Sequence, residues 1–224
     1  MPVQKIDVRG FVEPALTSFE LDPSSLRWDE LSTLAGLWLH YGRAMNLSGA
    51  HEPAALAGQI VEGLQVVALA RALGVESGDR WLDVGSGAGF PGLVVASQLP
   101  VALTMVEPRD RRAGFLELAL AAIKVPGRVL RGRVEANGGW RPDPRERGAL
   151  VPGFRFVGAR AVFPPARWLE VGAAWARPDG FVILHLHQGA GELLSVSSPA
   201  RMDSDRWSIR AVRAADVSRG TSGI

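Results

Sequence analysis

The chain has 224 residues, of which 47% are hydrophobic and 21% charged, and no cysteine; this is the composition of an ordinary globular domain, and it excludes disulfides, thiolate metal sites and cysteine nucleophiles. No apolar run in the sequence approaches the ~18 residues of a membrane span, and Lys5 and Arg9 near the start are not followed by an apolar block, so neither membrane nor signal peptide is expected and the setting reads as cytoplasmic. The net charge of +2 hides an asymmetry, −5 over residues 1–100 and +7 over residues 101–224, with Lys5 and Lys124 the only lysines among 25 cations; such a basic half suits a polyanionic partner or simply a solvated face.

Residues 1–21 show no clear period and are expected to be a loose leader. Asp22-Pro23 offers a helix cap with proline in the first turn. From Leu26 onward Leu31, Leu34, Ala35, Trp38 and Tyr41 recur at helical spacing, up to about Met45. Trp28 and Trp38 read as core. A second helix opens at Glu52-Pro53, sets Leu56, Ile60, Leu64 and Val67 on one face and stops at Gly74. The pattern then changes. Arg80–Val84 is a short strand leading into a glycine-rich turn, followed by a helix over Gly92–Leu99 and a strand over Val101–Val106 that ends at Glu107. Asp110–Ile123 is an amphipathic helix with Phe115, Leu118 and Ala122 inward, and Val129–Val134 is a strand. Residues 137–153, rich in Gly, Pro and Arg, form a loop. Phe154–Ala159 is a strand, Pro164–Arg177 a helix, Phe181–Leu186 a strand, and Glu192–Ser197 and Trp207–Val212 close the series.

Strands alternating with helices predict an α/β fold: a doubly wound, mostly parallel seven-stranded sheet with an N-terminal helical extension. Residues 22–224 then form one domain, with the extension over 22–79 and the sheet core over 80–224.

The segment Asp83-Val84-Gly85-Ser86-Gly87-Ala88-Gly89-Phe90-Pro91-Gly92 is the most informative. Glycine allows positive φ and close approach of a ligand to the backbone, and the following helix offers free N–H groups and a positive dipole end. In a doubly wound sheet this turn lies at the carboxyl ends of the strands, where ligands bind. Gly87-x-Gly89-x-x-Gly92 formally matches a dinucleotide fingerprint. Asp83 at the strand end would repel a pyrophosphate and suits a ligand carrying an ammonium group, such as S-adenosylmethionine. Glu107 can accept both hydroxyls of a ribose, which either cofactor class supplies.

With these residues in view, the sequence resembles the bacterial ribosomal RNA small subunit methyltransferase G family, also called glucose-inhibited division protein B, which makes 7-methylguanosine in 16S rRNA. The resemblance covers roughly residues 26–190 and is sharpest over Leu82–Gly92, where Phe90-Pro91-Gly92 follows the glycines. Weaker matches follow in order: Met45-Asn46-Leu47, Arg111-Arg112-x-x-Phe115-Leu116, Arg133-Val134-Glu135 and Arg160-Ala161-Val162. It implies a class I, Rossmann-like methyltransferase with S-adenosylmethionine as cofactor. Carried over to the matched positions, Asp83, Gly85, Ser86, Gly87, Gly89, Phe90 and Glu107 would hold the cofactor. Val134 and Glu135 would border its adenine. Arg160 would stand at the mouth, near the cofactor carboxylate or the RNA. The sequence departs from the family at Glu62-Gly63-Leu64 (Asp-Ser-Leu in the family), at Arg155 (an acid), at Ser48-Gly49-Ala50 (Thr-Ala-Ile), and at Leu184-His185-Leu186 (Leu-Lys-Gly). These changes fall partly on the expected RNA side.

N7 of guanine carries a lone pair and no proton, so its methylation requires positioning rather than a general base, and no catalytic side chain is assigned. Residues 107–147 carry ten cations against six acids; Arg109, Arg111, Arg112 and Arg160 are the RNA-binding candidates. Trp140 could stack on a base or pack locally. His185-x-His187 points two imidazoles to one face of a strand. No third ligand is apparent, His40 and His51 stand alone, and no metal is expected. The expected partner is 16S rRNA or the small ribosomal subunit, met by a monomer. Competing readings are a same-fold methyltransferase acting on a small molecule or another RNA, a nicotinamide-dependent oxidoreductase, and a non-catalytic RNA-binding homologue.

Overall fold

A computed structural model describes residues 3–47, 49–187, 197–204 and 206–220. Seven strands form one sheet in the order β3-β2-β1-β6-β7-β9-β8. These are β1 (Arg80–Val84), β2 (Ala102–Val106), β3 (Gly127–Leu130), β6 (Phe154–Ala159), β7 (Ala176–His187), β8 (Ala200–Asp203) and β9 (Trp207–Arg213). The first five run parallel, and β9 lies antiparallel between β7 and β8. The chain winds outward from β1 through β2 to β3, then returns to the other side of β1 with β6. That reversal makes the crevice at the carboxyl ends of β1 and β6 the topological switch point.

Alternating side chains of the strands feed two cores. Trp81, Leu103, Met105, Phe156, Phe181 and Ile183 face one side, under α2 (Trp28–Met45), α3 (Pro53–Ala72), α4 (Gly92–Gln98) and α5 (Asp110–Ala122). Leu82, Val84, Val106, Val157, Val182 and Leu184 face the other, under α6 (Pro165–Trp175) and α7 (Ala214–Gly220). The doubly wound sheet and the N-terminal helices are as the sequence pattern predicts. α3 is more apolar than the sequence reading allowed. Its 20 residues reach a mean hydropathy of 1.4, enough by length and composition to cross a membrane, but 67% of that stretch is buried inside the molecule, so it is a core helix.

The structure corrects other expectations. The leader is ordered: α1 (Arg9–Val12) and a 3-10 helix over Glu13–Phe19 bury Val8, Val12, Leu16 and Phe19. It crosses α2 at Gly36, where an added Cβ would meet the Gln4 carbonyl at 2.0 Å. On α5, Phe115 is buried as expected, but Leu118 is 40% exposed and Ala113, Leu116, Ala119 and Leu120 face inward instead. The third strand breaks at Arg131, whose N–H donates to Glu146 and whose carbonyl accepts from the Asp143 N–H. Beyond the break, β4 (Gly132–Val134) pairs with β5 (Trp140–Pro142) in a separate hairpin, so part of the expected loop is strand. The strand expected over Glu192–Ser197 lies, but for its last residue, outside the described residues; the edge strand is β8.

Candidate functional site

The glycine turn hangs from the end of the neighbouring strand. Gly85 and Ser86 donate their N–H groups to the Val106 carbonyl at 2.9 and 3.1 Å. Gly87 donates to Glu107 Oε2 and Arg109 to Glu107 Oε1, both at 2.9 Å. Glu107 is 3% exposed, and each oxygen, holding one backbone donor, keeps a lone pair for a ligand. Gly85 has φ +68°, and a Cβ there would meet Val162 Cγ2 at 2.5 Å. A side chain at this position would both strain the turn and fill the approach. From the helical side, Trp38 of α2 donates its indole N–H to the Ala88 carbonyl at 2.7 Å and stacks on Phe90 with centroids 4.0 Å apart.

A cavity of about 360 Å³ opens at this point, lined by Val84, Gly85, Val106, Glu107, Pro108, Arg109, Arg112, Gly132, Arg133, Val134, Ala161, Val162 and Phe163. Its size is that of a small-molecule cleft. Its walls offer one buried carboxylate, glycine backbone, apolar Val134 and Phe163, and a rim of arginines. A second depression of about 350 Å³ continues along the β4–β5 hairpin past Arg133 and Arg141.

Of the residues singled out from sequence, Gly85, Glu107, Val134, Arg109 and Arg112 line the cavity. Gly87 acts on Glu107 through its N–H. Ser86 is buried, with Oγ donating to the Asp83 carbonyl at 2.9 Å, and Gly89 gives a positive-φ position where a Cβ would meet Leu93. Phe90, 5% exposed, belongs to the core stack with Trp38. Glu135 is not among the lining residues and pairs with Arg141 at 2.6 Å. Arg111 is exposed, outside the lining. Arg112 is tied by one guanidinium nitrogen to the Asn46 carbonyl at 2.7 Å. Trp140 is partly buried and packs locally, against the core beneath the hairpin.

Asp83 sits beneath the turn, 1% exposed, with Oδ2 unpartnered. Burial pushes its carboxyl up to about 7; Ser86 and Arg160 oppose that shift and Glu107 adds to it. Gly92 makes room for this carboxylate, since a Cβ there would meet Oδ2 at 2.6 Å.

Two side chains not read from the sequence as site residues meet in the interior. Glu62 of α3, 3% exposed, accepts from Arg160 Nη1 on one oxygen and from His185 Nδ1 on the other, both at 2.8 Å. Glu62 and His185 are two of the positions at which the sequence departs from the family pattern, and they touch each other. The same-face placement of His185 and His187 drew attention to His185 but not to Glu62, and His187 stacks on Trp207 instead. Among the described residues no group of three His, Asp or Glu has metal-ligand geometry. Arg155, a third departure, pairs with Asp179 and packs over Phe181, far from any ligand role.

The rRNA small subunit methyltransferase G family model matches residues 28–186. The chain is 32% identical over 143 residues to the ribosomal RNA small subunit methyltransferase G of Polaromonas naphthalenivorans, covering 61% of this chain and 65% of that protein. It is 41% identical over 80 residues to the protein of the same name in Zymomonas mobilis, covering 34% and 36%. For the Mycobacterium sp. protein of that name the figures are 51% over 62 residues, covering 27% and 28%. The matches thus span less than two thirds of these relatives' length. Among solved structures, yhhF of Escherichia coli has a TM-score of 0.53 at 16% identity, covering 68% of this chain and 86% of that one. MtNAS in complex with MTA and tNA also has 0.53, at 13% identity, covering 90% and 81%. At such identities these two show a shared fold.

Proposed function

The chain belongs to the rRNA small subunit methyltransferase G family, and from that premise we propose that it transfers a methyl group from S-adenosylmethionine to N7 of a guanine in 16S rRNA. The observation that carries the reading is Glu107: a buried carboxylate on the wall of a cavity floored by Gly85, its two oxygens aimed by the Gly87 and Arg109 N–H groups. That arrangement suits the paired hydroxyls of a ribose. Val134 would flank the adenine, and the close approach at Gly85 would admit the methionine part.

When bound, S-adenosylmethionine supplies an electrophilic methyl group on a positively charged sulfur. Guanine N7 would offer its lone pair to that methyl group without losing a proton, so no side chain would have to take one. The protein's task is alignment and exclusion of water. The arginine rim at Arg109, Arg112 and Arg133 would meet phosphates of the RNA. The reading sets the chain in the cytoplasm, with the small ribosomal subunit or its rRNA as partner.

Calorimetric titration with S-adenosylmethionine, with NADH as control, tests the cofactor. Saturable binding of the first and none of the second is expected, and Glu107→Gln should weaken it about tenfold, or ~1.4 kcal/mol. Transfer of labelled methyl to 16S rRNA, mapped to a guanine N7, tests the substrate. Preferential NADH binding would replace the reading with an oxidoreductase.

A further inference from the structure

Arg160 follows β6 at the switch point and is carried on a constrained backbone: the next residue, Ala161, has φ +56°. A non-glycine residue in this region costs energy and persists only where its surroundings impose it, commonly at functional sites. The side chain of Arg160 is 29% exposed. Its guanidinium carbon stands 5.9 Å from the Phe90 ring, and one nitrogen is bound to Glu62. Glu62 takes only one of the five guanidinium N–H donors, and the next three residues, Ala161, Val162 and Phe163, line the cavity.

Beneath it the arrangement is unusual for a core. Glu62 is a charged group on the inner face of α3, in the midst of Leu64, Val66 and Val67. A carboxylate so buried requires a partner on each oxygen. Arg160 serves Oε2 and His185 serves Oε1. Because the carboxylate only accepts, Nδ1 of His185 carries a proton toward it, while Nε2 is enclosed and without a partner among the described residues. Apolar residues would fill this space at lower cost, and the orphaned nitrogen adds to that cost. What the arrangement secures is the direction of Arg160.

We infer that Glu62 and His185 are positioning residues, clamping Arg160 so that its free edge is presented to an anionic oxygen group at the mouth of the cavity, an RNA phosphate or the carboxylate of the methyl donor. The inference rests on the proposed methyl transfer for the identity of that anion, but the clamp itself does not. His185 orients Glu62 and Glu62 orients Arg160; neither touches the ligand.

The test compares the parent with Glu62→Gln, which keeps the shape and removes the charge, and uses two kinds of readout. The first is the side-chain ¹⁵N spectrum of Arg160, assigned with Arg160→Lys. The parent should show a guanidinium with restricted rotation, and Glu62→Gln should release it. The second is affinity: S-adenosylmethionine by calorimetry and 16S rRNA by the KM of methyl transfer. Glu62→Gln should weaken one of them about tenfold. Loss on the RNA side assigns a phosphate and loss on the cofactor side the carboxylate. A freely rotating Arg160 in the parent, or no release in Glu62→Gln, overturns the clamp. Release with both affinities unchanged overturns its purpose. A parent that transfers no methyl group overturns the functional reading instead, and the spectrum alone then decides the clamp. Should Glu62→Gln fail to fold, His185→Gln, which can still donate to Glu62, is set against His185→Leu, which cannot. The first should keep Arg160 restrained and the second should free it; equal behaviour of the two overturns the proposal.

Discussion

At the scale of single residues the carboxyl of Asp83 is the most informative group. Its value of about 7 lies well above the usual carboxylate range because burial disfavours the charge more than Ser86 and Arg160 restore it. The folded chain therefore holds a proton that the unfolded chain has released. Stability from this group is full below about pH 4, falls as the pH rises toward 7, and is level above that. Asp83→Asn removes the slope, so the difference in Tm between parent and variant should change between pH 5 and 8, with the parent losing relative ground. A parallel shift of both curves would show that Asp83 does not titrate there. A cationic ligand in the overlying cavity favours the ionised form, so binding of S-adenosylmethionine should tighten several-fold from pH 6 to pH 8 and release a proton. In Asp83→Asn calorimetry in buffers of different ionisation enthalpy should detect no such release.

At the scale of elements, the glycine turn is shaped by what lies on both sides of it. β2 supplies the Val106 carbonyl and Glu107; α2 supplies Trp38. Trp38→Phe removes the donor to the Ala88 carbonyl and leaves a gap beside Phe90. The loss of one buried hydrogen bond costs about 1–3 kcal/mol, so a Tm lower by several degrees is expected, together with weaker S-adenosylmethionine binding because the turn loses its brace. A lower Tm with unchanged affinity would confine Trp38 to packing. The turn itself was legible in the sequence, since three spaced glycines between a strand and a helix leave few other conformations; of the acids at two strand ends, Glu107 marks the cavity wall and Asp83 lies buried beneath the turn. The inner face of α5 was not, because Leu116, Leu118 and Leu120 offer competing stripes and only packing selects among them. The break after β3 was hidden because it depends on Glu146 and Asp143 reaching back to Arg131. The Glu62–Arg160–His185 contact joins residues 98 and 123 positions apart in sequence and arises from the order of the strands, which no local pattern encodes.

At the scale of the whole molecule the charge asymmetry becomes a question of which cations remain free. The excess of arginine after residue 100 is partly spent inside the protein. Arg131 pairs with Glu117, Arg141 with Glu135 and Arg145 with Asp110. Arg109, Arg111 and Arg133 are exposed, and no ion pair holds them among the described residues. Arg109 and Arg133 line the cavity and Arg111 lies in the first turn of α5, so on the proposed reading these three would offer a face to a phosphate backbone. If each of the three meets one phosphate of a single-stranded segment, the logarithm of RNA affinity should fall with the logarithm of salt with a slope of about −2. Arg111 lies outside the cavity lining, so Arg111→Gln should reduce that slope by about 0.7 while leaving the affinity for S-adenosylmethionine as it was. A filter-binding series across salt concentrations measures the first and calorimetry the second. An unchanged slope would move the RNA off the α5 side of the cavity and toward Arg133 and the second depression, where Arg133→Gln would then carry the loss. A steep slope for the cofactor as well would mean that the arginine rim serves the ligand in the cavity and not the nucleic acid.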